Sequence, residues 1–264
     1  MTPIRIAAWS GPRNISTAMM RAWENRPDCT VVDEPLYAHY LQATQLDHPA
    51  RDEVIAAGDP DWQRVAAWLT GPVPQGRAIW YQKHMSHHLL PGMDTAWVQG
   101  LANVFLIRDP ALVVSSYVKS RAHVEPADIG LLQQLQLFDE LADALDQPPP
   151  VIDAERFLQA PESQLRALCQ ALGVPFSERM LSWPPGPRAS DGVWAPHWYE
   201  AVWKSTGFEP WRDKRVPLPP ALAAVAEACR PAYQQFFDAP QTQIVEDLFD
   251  EDETVNPLRN QSAE

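Results

Sequence analysis

The segment IRIAAW at 4–9 runs straight into SGPRNIST at 10–17, and 16–25 continues with small and apolar side chains at helical spacing. A short run that is apolar but for Arg5 reads as a buried strand, because a half-exposed strand would alternate with polar residues. Turn-forming residues leave that strand and the helix begins at once. This is the opening of a βαβ unit, and it holds the chain to the α/β class. The loop has a second consequence. A helix N-terminus presents unpaired backbone N–H groups and the positive end of the helix dipole, so 10–17 is a candidate anion site. Arg13 adds a fixed positive charge, and Ser16 and Thr17 add hydroxyl donors. An ordinary capped helix after a strand would carry the same pattern.

Four more apolar runs read as strands, at 30–32, 78–82, 103–107 and 151–153; the second is followed by Lys83 and the third by Arg108. Helical patterns separate or follow them at 62–69, 111–119, 129–145, 162–172 and 220–237. The alternation predicts an α/β fold with a mainly parallel sheet flanked by helices in three layers. The sequence Pro-Pro-Gly-Pro at 184–187 reads as a loop and not a boundary. One domain is expected over 1–245, followed by an acidic, solvated tail over 246–264 that opens with EDLFDEDE.

With 264 residues and a formal charge of −13, bulk electrostatics argues against nucleic acid, anionic membranes and long polyanionic acceptors as partners. A local basic pocket for a small anion is compatible with that charge. No run approaches the roughly 18 apolar residues that span a bilayer, and the first nine residues lack the long apolar core of a signal peptide. Cys29, Cys169 and Cys229 are far apart and follow no metal-ligand spacing. The expectation is a cytoplasmic protein with reduced, buried thiols.

The loop at 10–17 is not that of a nucleotide triphosphatase. That loop needs G-x-x-x-x-G-K-[ST], whereas here Gly11 is followed five residues later by Ser16 and no Gly-Lys pair exists. Pro12, Arg13, Asn14, Ile15, Ser16 and Thr17 instead fall in order on P-[KR]-S-G-T-T, with Asn14 in place of serine and Ile15 in place of glycine. A second segment places Arg108 at a strand end and Ser116 eight residues later on the next helix. A third, 150–176, carries Val151, Glu155, Pro161, Leu165, Leu172, Gly173, Val174 and Pro175 on V-x-x-x-E-D-L-x-x-x-P-x-x-x-L-x-x-x-x-x-x-L-G-[VI]-P, with Arg156 replacing the aspartate. In these three segments the chain resembles sulfotransferases that use 3′-phosphoadenosine 5′-phosphosulfate (PAPS). The resemblance implies a P-loop-type fold, a 5′-phosphosulfate loop at 12–17, a 3′-phosphate site at Arg108 and Ser116, release of the bisphosphate PAP, and no metal. The basic R-K-G loop of cytosolic sulfotransferases has no counterpart, and Arg212, Lys214 and Arg215 are its candidate substitutes.

Transfer of a sulfuryl group needs aligned reactants, charge stabilisation on the leaving phosphate and a base for the acceptor's proton. By resemblance, Lys83 and Arg13 serve the leaving group. Two base candidates follow from the same comparison. Glu34, in Asp33-Glu34-Pro35, matches the glutamate of bacterial and heparan-type enzymes. Lys83-His84 matches K-T-H of cytosolic enzymes with the histidine one residue early, so His84, His87 and His88 compete, with Asp33 as a further possibility. Tyr37, His39 and Tyr40 stand close enough to Glu34 to meet the acceptor. The cluster Trp194, His197, Trp198, Tyr199 and Trp203 either lines an acceptor pocket or packs as core, packing being the simpler reading. The acceptor expected is a small alcohol, amine or phenol. Two rivals share the scaffold: a nucleotide-dependent hydrolase or kinase, and a non-catalytic nucleotide-binding protein. Neither the acceptor nor the oligomeric state is encoded legibly.

Overall fold

In the computed structural model, residues 2–119 and 123–239 are described. Five parallel strands, β1 (Ile4–Ser10), β2 (Cys29–Asp33), β3 (Ile79–Met85), β4 (Ala102–Ile107) and β5 (Val151–Asp153), form one sheet in the order β2-β3-β1-β4-β5. The helices are α1 (Ser16–Glu24), α2 (Tyr37–Thr44), α3 (Arg51–Ala57), α4 (Trp62–Leu69), α5 (Pro110–Tyr117), α6 (Pro126–Ile129), α7 (Leu131–Ala144), α8 (Ala154–Gln159), α9 (Pro161–Ala171), α10 (Ala195–Trp198), α11 (Glu200–Lys204) and α12 (Pro220–Phe237).

β1 lies at the sheet's centre, and strand alternation sends its side chains to two cores. Ile6 and Ala8 meet Met19, Met20 and Trp23 of α1, together with Phe157, Leu165 and Leu168 of α8 and α9. Ala7 and Trp9 face the other way, toward Val113 and Val114 of α5, Leu137 and Phe138 of α7, and Phe236 of α12. Helices on both faces explain why β1 is apolar from Ile6 to Trp9. All strands being parallel, their carboxyl ends share one edge. The chain moves from β1 outward to β2, and later to the opposite side with β4, so the crevice between β1 and β4 is the switch point where α/β sheets bind ligands.

The helix expected over 129–145 is α7, beginning two residues later, and the short helix α6 precedes it. Gly130 adopts φ +73° and separates α6 from α7. A β-carbon on Gly11 would lie 2.2 Å from the Ile129 carbonyl oxygen, so the loop after β1 packs backbone to backbone against this junction. Helices α2, α3, α8, α10 and α11 were not foreseen in the sequence; four of the five are shorter than eight residues. The acidic tail expected over 246–264 lies outside the described residues.

Candidate active site

β1 ends at Ser10, and the loop that follows bends through Arg13, whose φ of +56° is left-handed. Ile15, standing where the resemblance has glycine, has ordinary φ and ψ of −82° and 8° as the residue before α1. Its side chain packs against the core that holds α1, so a β-carbon is accommodated there. Asn14 stabilises the bend: its Nδ2 donates to the Leu106 carbonyl (2.9 Å) and its Oδ1 accepts from the Ile15 N–H (2.7 Å). No side chain caps α1, which leaves its first turn facing the cavity described below.

β4 supplies the opposing wall. Asp109 Oδ1 accepts from the Ala111 N–H (2.8 Å), and Pro110 occupies the first helical position, so α5 starts immediately after the strand. That start brings Ser116 back over the loop, where its Oγ accepts from Arg13 Nε at 2.9 Å. Arg108 donates to the Arg13 carbonyl oxygen. Burial, and then the neighbouring Arg13, lower the Arg108 pKa from its usual value. Two guanidinium groups held at one edge are chemically suited to an anion.

A buried charge cluster lies beneath this crevice. Lys83 Nζ donates to Asp33 Oδ1 (2.8 Å), to Glu34 Oε1 and to the Tyr199 hydroxyl (3.0 Å). Tyr199 donates in turn to Asp33 Oδ2 (2.7 Å). Burial alone would lower the Lys83 pKa; Asp33 and Glu34 outweigh it and hold the ammonium well above its ordinary value. Burial raises the Glu34 carboxyl against the opposing pull of Lys83. Burial also raises the Tyr199 phenol well above 10. Glu34 has φ +43°, and its N–H donates to the Lys83 carbonyl (2.9 Å), which turns the chain out of β2. A glutamate in this region is uncommon and marks a backbone over-determined by its surroundings.

These groups line one cavity of about 460 Å³ at the carboxyl edge: Arg13 to Thr17, Glu34, Lys83, Arg108, Ser116 and Tyr199 all border it. Of the base and donor-site candidates read from the sequence, all border it except His84 and Asp33. The register pairs His84 with Trp9 and Lys83 with Ala8, so alternation turns His84 to the opposite face. There it stacks on Trp9, with ring centroids 4.2 Å apart, and burial lowers its pKa to about 3. His87 and His88 do reach the cavity. Burial lowers the His87 pKa to about 4, and burial with His87 alongside drives His88 well below its usual value. His39 bonds the Pro60 carbonyl and Tyr40 stacks on His88, whereas Tyr37 lines the cavity. Lys214 also borders it, while Arg215 pairs with Glu155 and Asp109. Asp33 and Tyr199 complete the charge cluster. From the sequence, Asp33 reads only as a rival base and Tyr199 only as a member of an aromatic cluster, since no local motif ties residue 199 to residue 83. Among the described residues, no group of three or more His, Cys, Asp or Glu side chains forms a metal-binding array, and no helix is long and apolar enough to cross a membrane.

The family model described as sulfotransferase domain matches residues 4–235. The chain is 34% identical over 231 residues to the branched-chain-amino-acid aminotransferase-like protein 2 of Arabidopsis thaliana, covering 86% of this chain and 40% of that protein. It is 38% identical over 212 residues to the corresponding protein 1, covering 78% and 37%. The chain thus spans about two fifths of the length of these relatives. Among solved structures, the sulfotransferase domain from the curacin biosynthetic pathway superposes with a TM-score of 0.55 at 17% identity, covering 86% of this chain and 98% of that one. The sulfotransferase domain from the Synechococcus PCC 7002 olefin synthase does so with 0.56 at 17%, covering 88% and 94%.

Proposed function

The chain belongs to the sulfotransferase domain family, and we propose that it transfers the sulfuryl group of PAPS to a small acceptor without a metal. The observation that carries this reading is the union, in one cavity, of an uncapped helix N-terminus, two arginines and a serine on one side with a Lys83–Glu34 pair at the floor. The donor set fits PAPS. Arg13, Ser16 and Thr17 suit the 5′-phosphosulfate, and Arg108 and Ser116 suit the 3′-phosphate. PAPS supplies an activated sulfuryl group: the acceptor oxygen forms the new O–S bond, the S–O bond to phosphate breaks, and its electron pair leaves with PAP.

The chain's own residues supply the rest. Glu34 takes the acceptor's proton; burial raises its pKa and so makes it a better base than an exposed carboxylate. Lys83, kept cationic by two carboxylates, places positive charge at the floor where the phosphate oxygen gains negative charge. Asp33 and Tyr199 fix that ammonium in place. His87 and His88, their pKa values lowered by burial, are neutral at pH 7 and border the same floor. Calorimetric titration with PAP and with ATP tests the donor. Binding of PAP with ATP much weaker supports the reading, and equal affinity for the two favours the nucleotide-hydrolase or kinase rival. Transfer of label from ³⁵S-PAPS to an acceptor then separates an enzyme from a binding protein.

A further inference from the structure

The cavity has two chemically unlike halves. The half described so far carries Arg13, Arg108 and the hydroxyls. The other is walled by Tyr37, His48, Trp194, Trp198 and Tyr199, with Met85. These rings are fixed by one another. Tyr37 stands edge-on to Trp194 (4.9 Å between centroids) and stacks on His88 (4.7 Å), His48 leans on Trp198 (5.5 Å), and the Tyr37 hydroxyl bonds His48 Nδ1 at 2.6 Å. Tyr37, Trp194 and Tyr199 belong to a small core of their own with Leu41 and Val54. The wall is therefore rigid and apolar. Among the described residues, its ionic groups are Glu34 and Lys83 at the floor, which pair with each other.

One polar opening remains in this half. His88 Nε2 lies 4.0 Å from Glu34 Oε2, too far for a direct hydrogen bond, and the His88 side chain is only 2% exposed. A hydroxyl oxygen about 2.8 Å from each of two partners bridges a gap of this size.

We propose that this half binds an uncharged alcohol with an apolar body, its hydroxyl held between Glu34 and His88 and its carbon frame against Tyr37, Trp194 and Trp198. This rests on the sulfuryl-transfer reading above and narrows its acceptor. In the step, the alcohol oxygen bonds to sulfur and its proton passes to Glu34, while the electron pair of the broken S–O bond leaves with PAP. An aliphatic hydroxyl needs such a base. An amine would enter as an ammonium ion, desolvated against the rings beside the Lys83 ammonium that already pairs with Glu34. A carboxylate ligand would face Glu34 with no free cation on this wall, and a sugar would leave hydroxyls unpaired against the rings.

The test is calorimetry on the full chain, with and without saturating PAP. The probes are 1-hexanol, 2-phenylethanol and 1-decanol, each beside the amine and the carboxylate of the same carbon frame, and glucose. At least one of the three alcohols is expected to bind, at least tenfold more tightly than its amine and carboxylate, and glucose is expected not to bind. His88→Ala and, separately, Trp198→Ala should weaken that alcohol about tenfold while PAP affinity stays at the wild-type value. Three outcomes overturn the proposal: no alcohol binds, an amine or carboxylate binds as tightly as its alcohol, or both variants bind alcohol normally. PAP titrated alone reports on the donor separately. PAP binding with every alcohol silent removes this inference and leaves the donor reading intact, whereas alcohol binding without PAP binding does the reverse.

Discussion

Lys83 Nζ sits 2.8 Å from Asp33 Oδ1, and each side chain is 1% exposed. A pair this deep has lost its hydration, so removing one partner leaves an uncompensated charge. Lys83→Met would strand Asp33 and Glu34 together. The expected loss of stability is about 3–5 kcal/mol by urea denaturation at pH 7. The pH dependence of that loss has a definite sign. Burial raises the folded-state pKa of Glu34, and a carboxyl raised on folding contributes stability that is full below its unfolded value and is lost as pH rises through its folded value. Without Lys83 the carboxyl is raised further. The deficit of Lys83→Met should therefore be largest at neutral pH and smallest near pH 4, where Glu34 is protonated and needs no cation. A deficit that does not change between these pH values would show that Glu34 is not titrating in the fold.

Glu34→Gln keeps the side chain's shape and removes the base. Turnover with an accepted alcohol is expected to fall by about 10²–10⁴, with PAP affinity at the wild-type level. His84→Leu is the control, because His84 stacks on Trp9 across the sheet from the cavity. It should retain turnover. Loss of turnover in His84→Leu with Glu34→Gln active would move the base to the histidine.

Much of the fold was legible because its signals are local. Five apolar runs became five strands, and Arg108 marked a strand end with the helical pattern of 111–119 close behind it. Glu34 was placed at the carboxyl edge by the apolar run before it and the proline after it. The face of a strand residue was the weaker signal. Lys83 and His84 are adjacent and chemically plausible together, yet alternation sends only Lys83 to the cavity. Tyr199 was out of reach for a different reason. Its partners are 116 and 166 residues away in the chain, and a pairing that distant leaves no periodicity or spacing to read. The aromatic wall likewise rests largely on α2 and on α10 with the residues that flank it, Trp194 and Tyr199, and α10 has four residues, too few for a helical period to appear.

Arg108 is placed to contact an anion and to hold the loop through the Arg13 carbonyl. Arg108→Ala removes both. Charge-assisted hydrogen bonds are worth about 1.5–3 kcal/mol, so PAP affinity is expected to fall roughly tenfold to a hundredfold by calorimetry. Arg108→Lys should recover only part of it, since an ammonium cannot reproduce the bidentate fork. Unchanged affinity in a folded Arg108→Ala protein would remove this residue from the donor site.

Tyr199 reaches the charge cluster from the C-terminal third of the chain. Its hydroxyl donates to Asp33 at 2.7 Å and accepts from Lys83 at 3.0 Å. The phenol's pKa lies well above 10, so it stays protonated at any ordinary assay pH. Tyr199→Phe keeps the ring in the aromatic wall and deletes only the oxygen. Asp33 Oδ2 would then retain the backbone N–H of Gly192 at 3.4 Å, a poor substitute at that distance. A hydrogen bond to a charged group contributes about 1.5–3 kcal/mol, and the buried carboxylate oxygen is left under-satisfied, so a loss of that order is expected in urea denaturation. Because Lys83 keeps both carboxylates, its charge persists, and turnover should fall far less than in Glu34→Gln. The apolar wall is preserved, so affinity for an apolar alcohol should not change. Stability equal to the wild type would show that the hydroxyl does not anchor Asp33. A turnover loss as large as that of Glu34→Gln would instead place the Tyr199 hydroxyl in the proton transfer itself.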